Sequence, residues 1–141
     1  MMQQTEFTCD TRGPGFHDIT AEVARWLDGT GVNEGLLTLF LRHSSASLLI
    51  QENADPDVQR DLLEFLRRLA PHADRPGMDW IRHRSEGPDD MPAHVKAALL
   101  PVSLSIPVSG GQMALGTWQG VYLVEHRDAP RRRRIIAHLL G

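Results

Sequence analysis

The stretch Leu36 to Asn53 constrains this chain most: Leu-Leu-Thr-Leu-Phe-Leu-Arg-His-Ser-Ser-Ala-Ser-Leu-Leu-Ile-Gln-Glu-Asn. Leucine and phenylalanine at that density call for a buried strand. His43, Ser44 and Ser45 follow at its end, where an imidazole and two hydroxyls need water, a ligand or hydrogen-bond partners. A strand that carries such groups to the edge of a core marks the centre of a polar site.

Helices are signalled on both sides of this run. Before it, Asp18 serves as a cap, Ile19, Val23, Trp26 and Leu27 share a face, and Gly29 and Gly31 end the helix. Gly13-Pro14-Gly15-Phe16 reads as a loop, and an opening strand around Phe7 precedes it. After the run, Asp55 is the N-cap and Pro56 the first helical residue. Val58, Leu62, Phe65, Leu66 and Leu69 then line one side as far as Pro71.

Residues 72–79 read as a loop and Trp80 to His83 as a short strand. Asp90 caps a short helix with Pro92 and His94 early and with Val95, Leu99 and Leu100 facing inward. Strands follow over Val102–Val108, Met113–Trp118, Val121–His126 and Ile135–Leu140, with Ser109-Gly110-Gly111 as a tight turn. The pattern is α+β, with two main helices and one short helix laid on largely antiparallel sheet.

A chain of 141 residues, 41% hydrophobic and 23% charged, has the size of a single domain over 1–141. Its formal charge of −3 supplies no global attraction for nucleic acid. Cys9 alone forms no internal disulfide or thiolate cluster, which suits a reducing cytoplasm. The N-terminus lacks the pattern of a signal peptide and no apolar run reaches membrane-spanning length, so the expectation is a soluble, cytoplasmic protein.

His43, His83 and His94 each fall at an element boundary among polar residues. Neutral imidazoles on separate elements can hold zinc or another divalent ion, although their spacing matches no metal motif and surface or hydrogen-bonded histidines fit as well. His17, His72, His126 and His138 fit the second description better, the last two as alternating exposed strand positions. Glu52 suits a general base, an acceptor that orients a metal-bound histidine, or a surface carboxylate before the helix. Asp61 falls near the core edge of the second helix, although an exposed helix carboxylate fits the position better. Ser44 and Ser45 offer hydroxyls to a phosphate, and Trp118 and Gln119, between Gly116 and Gly120, offer a planar wall and an amide. Lys96 offers a cation for an anionic substrate. Two of the four arginines Arg131–Arg134 would share one side of a strand, available to a phosphate or a neighbouring subunit, although most such runs are solvated faces.

Taken together, His43-Ser44-Ser45-Ala46, Glu52-Asn53, the Asp61 helix, His83, Ala93-His94-Val95-Lys96, Gly116-Thr117-Trp118-Gln119 and Glu125 resemble the YjbQ family, also called UPF0047 or the secondary thiamine-phosphate synthase group. The resemblance runs in order from about Gly15 to Gly141. The family's usual His-Thr-Thr-Ala is His43-Ser44-Ser45-Ala46 here, Pro101 replaces a common glycine, and Asp90 stands where an amide is frequent. The resemblance implies a homotrimer with a histidine-rich pocket for a metal ion or anion. It also implies weak thiamine-phosphate synthase activity, which joins a pyrimidine pyrophosphate to a thiazole phosphate with loss of pyrophosphate. On that reading His43, His83 and His94 are the metal ligands, zinc foremost. Glu52, Asp61 and Lys96 are the catalytic groups, and Ser44, Ser45, Trp118 and Gln119 touch a small phosphorylated substrate. The competing expectation is a trimer that binds a metal or a phosphorylated ligand without chemistry.

Overall fold

In a computed structural model, which describes residues 2–141, the chain runs β1 (Met2–Asp10), β2 (Gly15–Asp18), α1 (Thr20–Thr30), β3 (Gly35–Leu41), β4 (Ala46–Glu52), α2 (Pro56–Leu69), α3 (Asp90–Leu99), β5 (Ser103–Ser109), β6 (Gln112–Met113), β7 (Gln119–Glu125) and β8 (Arg132–Leu140). The strands form a five-stranded sheet in the order β1-β8-β3-β5-β6 and a three-stranded sheet in the order β2-β7-β4. Every pairing is antiparallel. The fold is α+β, as the pattern of elements predicts.

The core lies between the sheets. Leu37, Leu39 and Leu41 of β3 and Ile135, Ala137 and Leu139 of β8 alternate inward and join Leu48, Val121 and Leu123 of the smaller sheet in one buried cluster. Val23 and Leu27 of α1 belong to the same cluster. Each such fully buried aliphatic side chain contributes roughly 1.5–3 kcal/mol. Ile19, not Asp18, holds the N-cap position of α1, although the Asp18 carboxylate one residue earlier accepts the Thr20 N–H, and Gly31 ends the helix with φ 72°, a left-handed conformation that costs a residue with a Cβ. Trp26 meets Phe7 of β1 edge to face at 6.1 Å and ties α1 to the larger sheet.

Several expectations change. Leu36 to Asn53 is two strands rather than one: β3 pairs in the larger sheet, residues 42–45 cross over, and β4 pairs in the smaller. The break falls at Arg42, whose N–H bonds the Arg134 carbonyl, so His43 sits on the crossing between sheets. Gly15 to Asp18 pairs with β7 instead of looping. Trp80 to His83 is irregular, because the Arg84 guanidinium takes the carbonyls of Ala73, Met78 and Ile81 and curls the segment around itself. Residues 114–118 leave the sheet after the short β6.

Asp55 and Pro56 start α2 as the sequence predicts, with the Asp55 carboxylate accepting the Asp57 N–H. The apolar stripe is only half used, since Leu66 is buried while Phe65 is 59% and Leu69 48% exposed. The helix lies along the shallow flank of the smaller sheet, which covers less than the whole stripe. Leu99 of α3 is likewise exposed. Asp89, not Asp90, is the N-cap position of α3, which frees the Asp90 side chain for other partners.

Candidate functional site

Asp90 and His94 are one helical turn apart on α3, so their side chains stack on one face. The irregular segment before the helix brings His83 to the same place. The three side chains offer ligand atoms that all lie within 4.8 Å of one another. Asp90 Oδ2 is 2.8 Å from His83 Nε2 and 3.2 Å from His94 Nε2. On its other oxygen Asp90 accepts Arg127 Nη1 at 2.8 Å. Arg127 also donates to Asp89 at 2.9 Å and to the Glu86 carbonyl, and so holds the start of α3 in place. Burial pushes the Asp90 carboxyl up, but the hydrogen bond from His83 and the charges of His94 and Arg127 outweigh it and hold the group below the usual carboxylate range.

The ring of His94 carries the most telling constraint. Its Nδ1 faces the Ser44 carbonyl at 2.8 Å, and a carbonyl only accepts, so Nδ1 bears a proton. Nε2 then faces a carboxylate oxygen. Either the ring is an imidazolium, or the Nε2 lone pair shares a cation with Asp90 and His83. A backbone carbonyl that fixes the tautomer of a ligating histidine is a recurring support in metal sites. Two imidazoles, one carboxylate and room for solvent suit zinc.

Beside this cluster, on the crossing between sheets, lies a shallow depression lined by Arg42, His43, Ser44, Ser45 and Arg133. His43 is outside the His83–Asp90–His94 cluster. Its Nε2 accepts the Arg134 N–H at 2.8 Å, which puts the ring proton on Nδ1, and burial with the nearby Arg133 charge lowers its pKa. Ser45 is buried and accepts Arg133 Nη2 on its hydroxyl at 3.0 Å, whereas Ser44 is exposed.

Behind Ser45 sits a second buried carboxylate. Glu125 Oε1 accepts the Thr11 hydroxyl at 2.7 Å and Arg133 Nε at 2.8 Å, and Oε2 accepts the N–H groups of His126 and Arg127 together with Arg133 Nη2. Burial acts to raise its pKa, but the Arg133 and Thr11 hydrogen bonds keep it low.

On the far side of α3 a cleft of about 600 Å³ opens between α2, Lys96 and the segment after β7. Asp61 and Lys96 both line it. His126 lines it too and is only 3% exposed, with Nε2 2.9 Å from the Ser47 hydroxyl. Burial and the Lys96 charge lower the His126 pKa to about 4, so the ring is neutral near pH 7. Burial also lowers the Lys96 pKa.

The family model for UPF0047 protein YjbQ-like matches residues 5–141. The chain belongs to the YjbQ-like UPF0047 family. Among YjbQ-like relatives, the UPF0047 protein sll1880 of Synechocystis is 47% identical over 93% of this chain and 86% of its own length. The UPF0047 protein YjbQ of Escherichia coli O157:H7 is 44% identical over 100% of this chain and 99% of its own. Among solved structures, the hypothetical protein APE1520 from Aeropyrum pernix K1 superposes with a TM-score of 0.85 at 34% identity over 99% of this chain and 98% of that one. The conserved hypothetical protein TT1486 from Thermus thermophilus gives 0.82 at 38% identity, over 96% and 99%.

In this YjbQ-like chain the residues singled out from sequence fall into three places. His83 and His94 meet, with Ser44 touching His94 and His43 and Ser45 in the adjoining depression. Asp61 and Lys96 share the cleft beyond α3. Glu52, Trp118 and Gln119 lie at the other end of β4, about 20 Å along the strand from Ala46. There Glu52 accepts the N–H groups of Ala54 and Asp55, Gln119 accepts that of Gly116, and Trp118 is 65% exposed. Asp90, Arg127 and His126 were not among the expected site residues, His126 being buried rather than an exposed strand position, and Arg133 was singled out only within the run Arg131–Arg134. Only Asp90 had a local signal, its four-residue spacing to His94. Arg133 and His126 acquire their partners through the placement of β8, β7 and β4, and Arg127 through the packing of α3 against the end of β7.

Proposed function

We propose that this YjbQ-like protein is a metal-assisted enzyme acting on a small phosphorylated metabolite, with thiamine phosphate as the product that the family resemblance implies. The observation that carries the reading is the His94 ring, whose Nδ1–H donates to the Ser44 carbonyl and whose Nε2 faces Asp90 and His83. His83, Asp90 and His94 would hold the ion, zinc foremost among divalent metals. Bound there, zinc would supply a Lewis acid for a phosphoryl oxygen and lower the pKa of a coordinated water. Arg127 fixes the Asp90 carboxylate and Ser44 fixes the His94 ring, so the ligand atoms are oriented before anything binds. The exposed Ser44 hydroxyl and Arg42 at the neighbouring depression suit a substrate phosphate. In this reading the protein works as a homotrimer in the cytoplasm, in keeping with its single cysteine, Cys9, which has no disulfide partner.

The test is elemental analysis of the purified, untagged protein, followed by product assay with the pyrimidine pyrophosphate and thiazole phosphate. Near-stoichiometric zinc and turnover that disappears in His83→Ala are expected. Equal rates in the two proteins would overturn the reading. One observation favours a second function, a trimer that binds metal or phosphate without chemistry: both Glu52 oxygens are taken by the turn into α2, so the expected general base is engaged elsewhere. Saturable binding without product over long incubation would establish that alternative.

A further inference from the structure

We infer that the cleft between α2 and α3 is a second ligand site, separate from the His83–Asp90–His94 cluster, and that it takes a small organic anion through Lys96 and His126. Most of the cations lining the cleft are already matched by carboxylates. Arg60 faces Asp57 at 3.6 Å, Arg67 pairs with Glu64, Arg75 lies 3.9 Å from Asp74 and His72 is 2.9 Å from Asp128. Lys96 has no carboxylate within ion-pair distance and no hydrogen bond among the described residues, although it is half-buried. Burial lowers its pKa even though Asp128 and Asp89 act on it from beyond contact distance, and an anion entering the cleft would offset the cost of an ammonium withdrawn from water.

His126 points to the same occupant independently of charge matching. It is almost wholly buried, its Nε2 is engaged by Ser47, and Nδ1 has no partner among the described residues. Nδ1 is nonetheless not sealed from solvent, and the ring lines this cleft. A buried imidazole with one nitrogen anchored and the other open presents a fixed polar contact. When the Ser47 hydroxyl donates to Nε2, Nδ1–H becomes a donor into the cleft beside the Lys96 ammonium.

The walls describe the rest of the ligand. Leu63, Leu66, Ala70 and Pro71 give one side apolar surface, so the occupant has a carboxylate or phosphate head and an apolar or flat body. Lys96 and His94 are two residues apart on α3 and point to different sides of the helix, which separates this cleft from the metal cluster. The segment after β7 alternates in the same way, with His126 and Asp128 lining the cleft while Arg127 holds Asp89 and Asp90.

The experiment uses the full chain stripped of metal with a chelator, so that its outcome is independent of the metal reading. Ring resonances of the histidines are followed by NMR during titration with inorganic phosphate, then with glycerol phosphate and with malonate. A saturable shift of the His126 ring is expected, weakened at least ~10-fold in Lys96→Gln and unchanged in His94→Ala. Tighter binding of glycerol phosphate assigns a phosphate head, and tighter binding of malonate a carboxylate one. No His126 shift with any of the three anions overturns the proposal, as does a shift of equal affinity in Lys96→Gln. Binding seen only after Asp61→Asn also overturns it, because Lys96 would then be serving Asp61.

Discussion

Glu125 and Asp90 are both carboxylates buried beside an arginine, and they differ in what closes them. Glu125 is sealed: Thr11, Arg133 and two backbone N–H groups use both oxygens, and its side chain has no exposed surface. Asp90 is sealed on one side only. Arg127 takes Oδ1, while Oδ2 faces two imidazoles whose side chains are 48% and 29% exposed. A saturated carboxylate holds sheets together, whereas Asp90 keeps one oxygen on histidines that reach solvent. The difference separates structure from chemistry within a few residues of chain, since the backbone of Arg127 bonds Glu125 and its guanidinium bonds Asp90.

The largest effect should come from the sealed group. Glu125→Ala leaves Arg133 buried without its partner and should cost about 3–5 kcal/mol in urea denaturation, with little change in metal content. A loss as small as that of a surface substitution would show that Glu125 is not the structural member of the pair.

Next is acid stability on the same closed side. The His126 pKa is lowered from 6.5 to about 4, so the unfolded chain binds the proton first as pH falls. Its contribution is complete above pH 6.5 and is lost on descent toward 4, about 3 kcal/mol in all. The Glu125 pKa is also lowered, so its own contribution is kept above about 4.5 and lost only at lower pH. Melting temperature against pH should therefore fall between 6.5 and 4 in the native chain and flatten in His126→Gln.

Smaller in free energy, but decisive for the open group, is Asp90→Asn. It should keep the helix, because the N-cap position is Asp89, and weaken zinc binding by at least ~10-fold in a chelator competition. Unchanged zinc affinity would make Asp90 as structural as Glu125. The smallest effect is expected far from both: Phe65→Ser with Leu69→Ser on the uncovered stripe of α2 should change monomer stability by no more than about 0.5 kcal/mol per site. A change of sedimentation coefficient in that variant would identify the stripe as a contact between copies.

Much of the scaffold is legible residue by residue. Asp55-Pro56 starts α2, Asp18 and Gly31 bracket α1, and alternation in β3 and β8 selects the inward leucines and isoleucines. The same alternation hides the change of sheet at Arg42–Ser45, because a strand in either sheet buries the same kind of side chain. The apolar spacing of α2 likewise cannot report how much of it a sheet will cover. At the site, His83 and His94 stand out as residue types, but Asp90 reads as a helix cap until Asp89 is seen to occupy that position.

By itself, the sequence determined the α+β class, the start of α2, the alternating core and the family, since these depend on neighbours along the chain and on order of motifs. Tertiary structure decided which charges meet. Thr11 and Glu125 are 114 residues apart, Arg127 and Asp89 38 apart, and Ser44 and His94 50 apart. Sheet register and helix placement bring them within hydrogen-bond reach, and burial then makes the partners of Glu125 and Asp89 obligatory. Local propensity carries no trace of such pairings, so the closed carboxylate, the open one and the half-buried Lys96 become distinct only once the chain is folded.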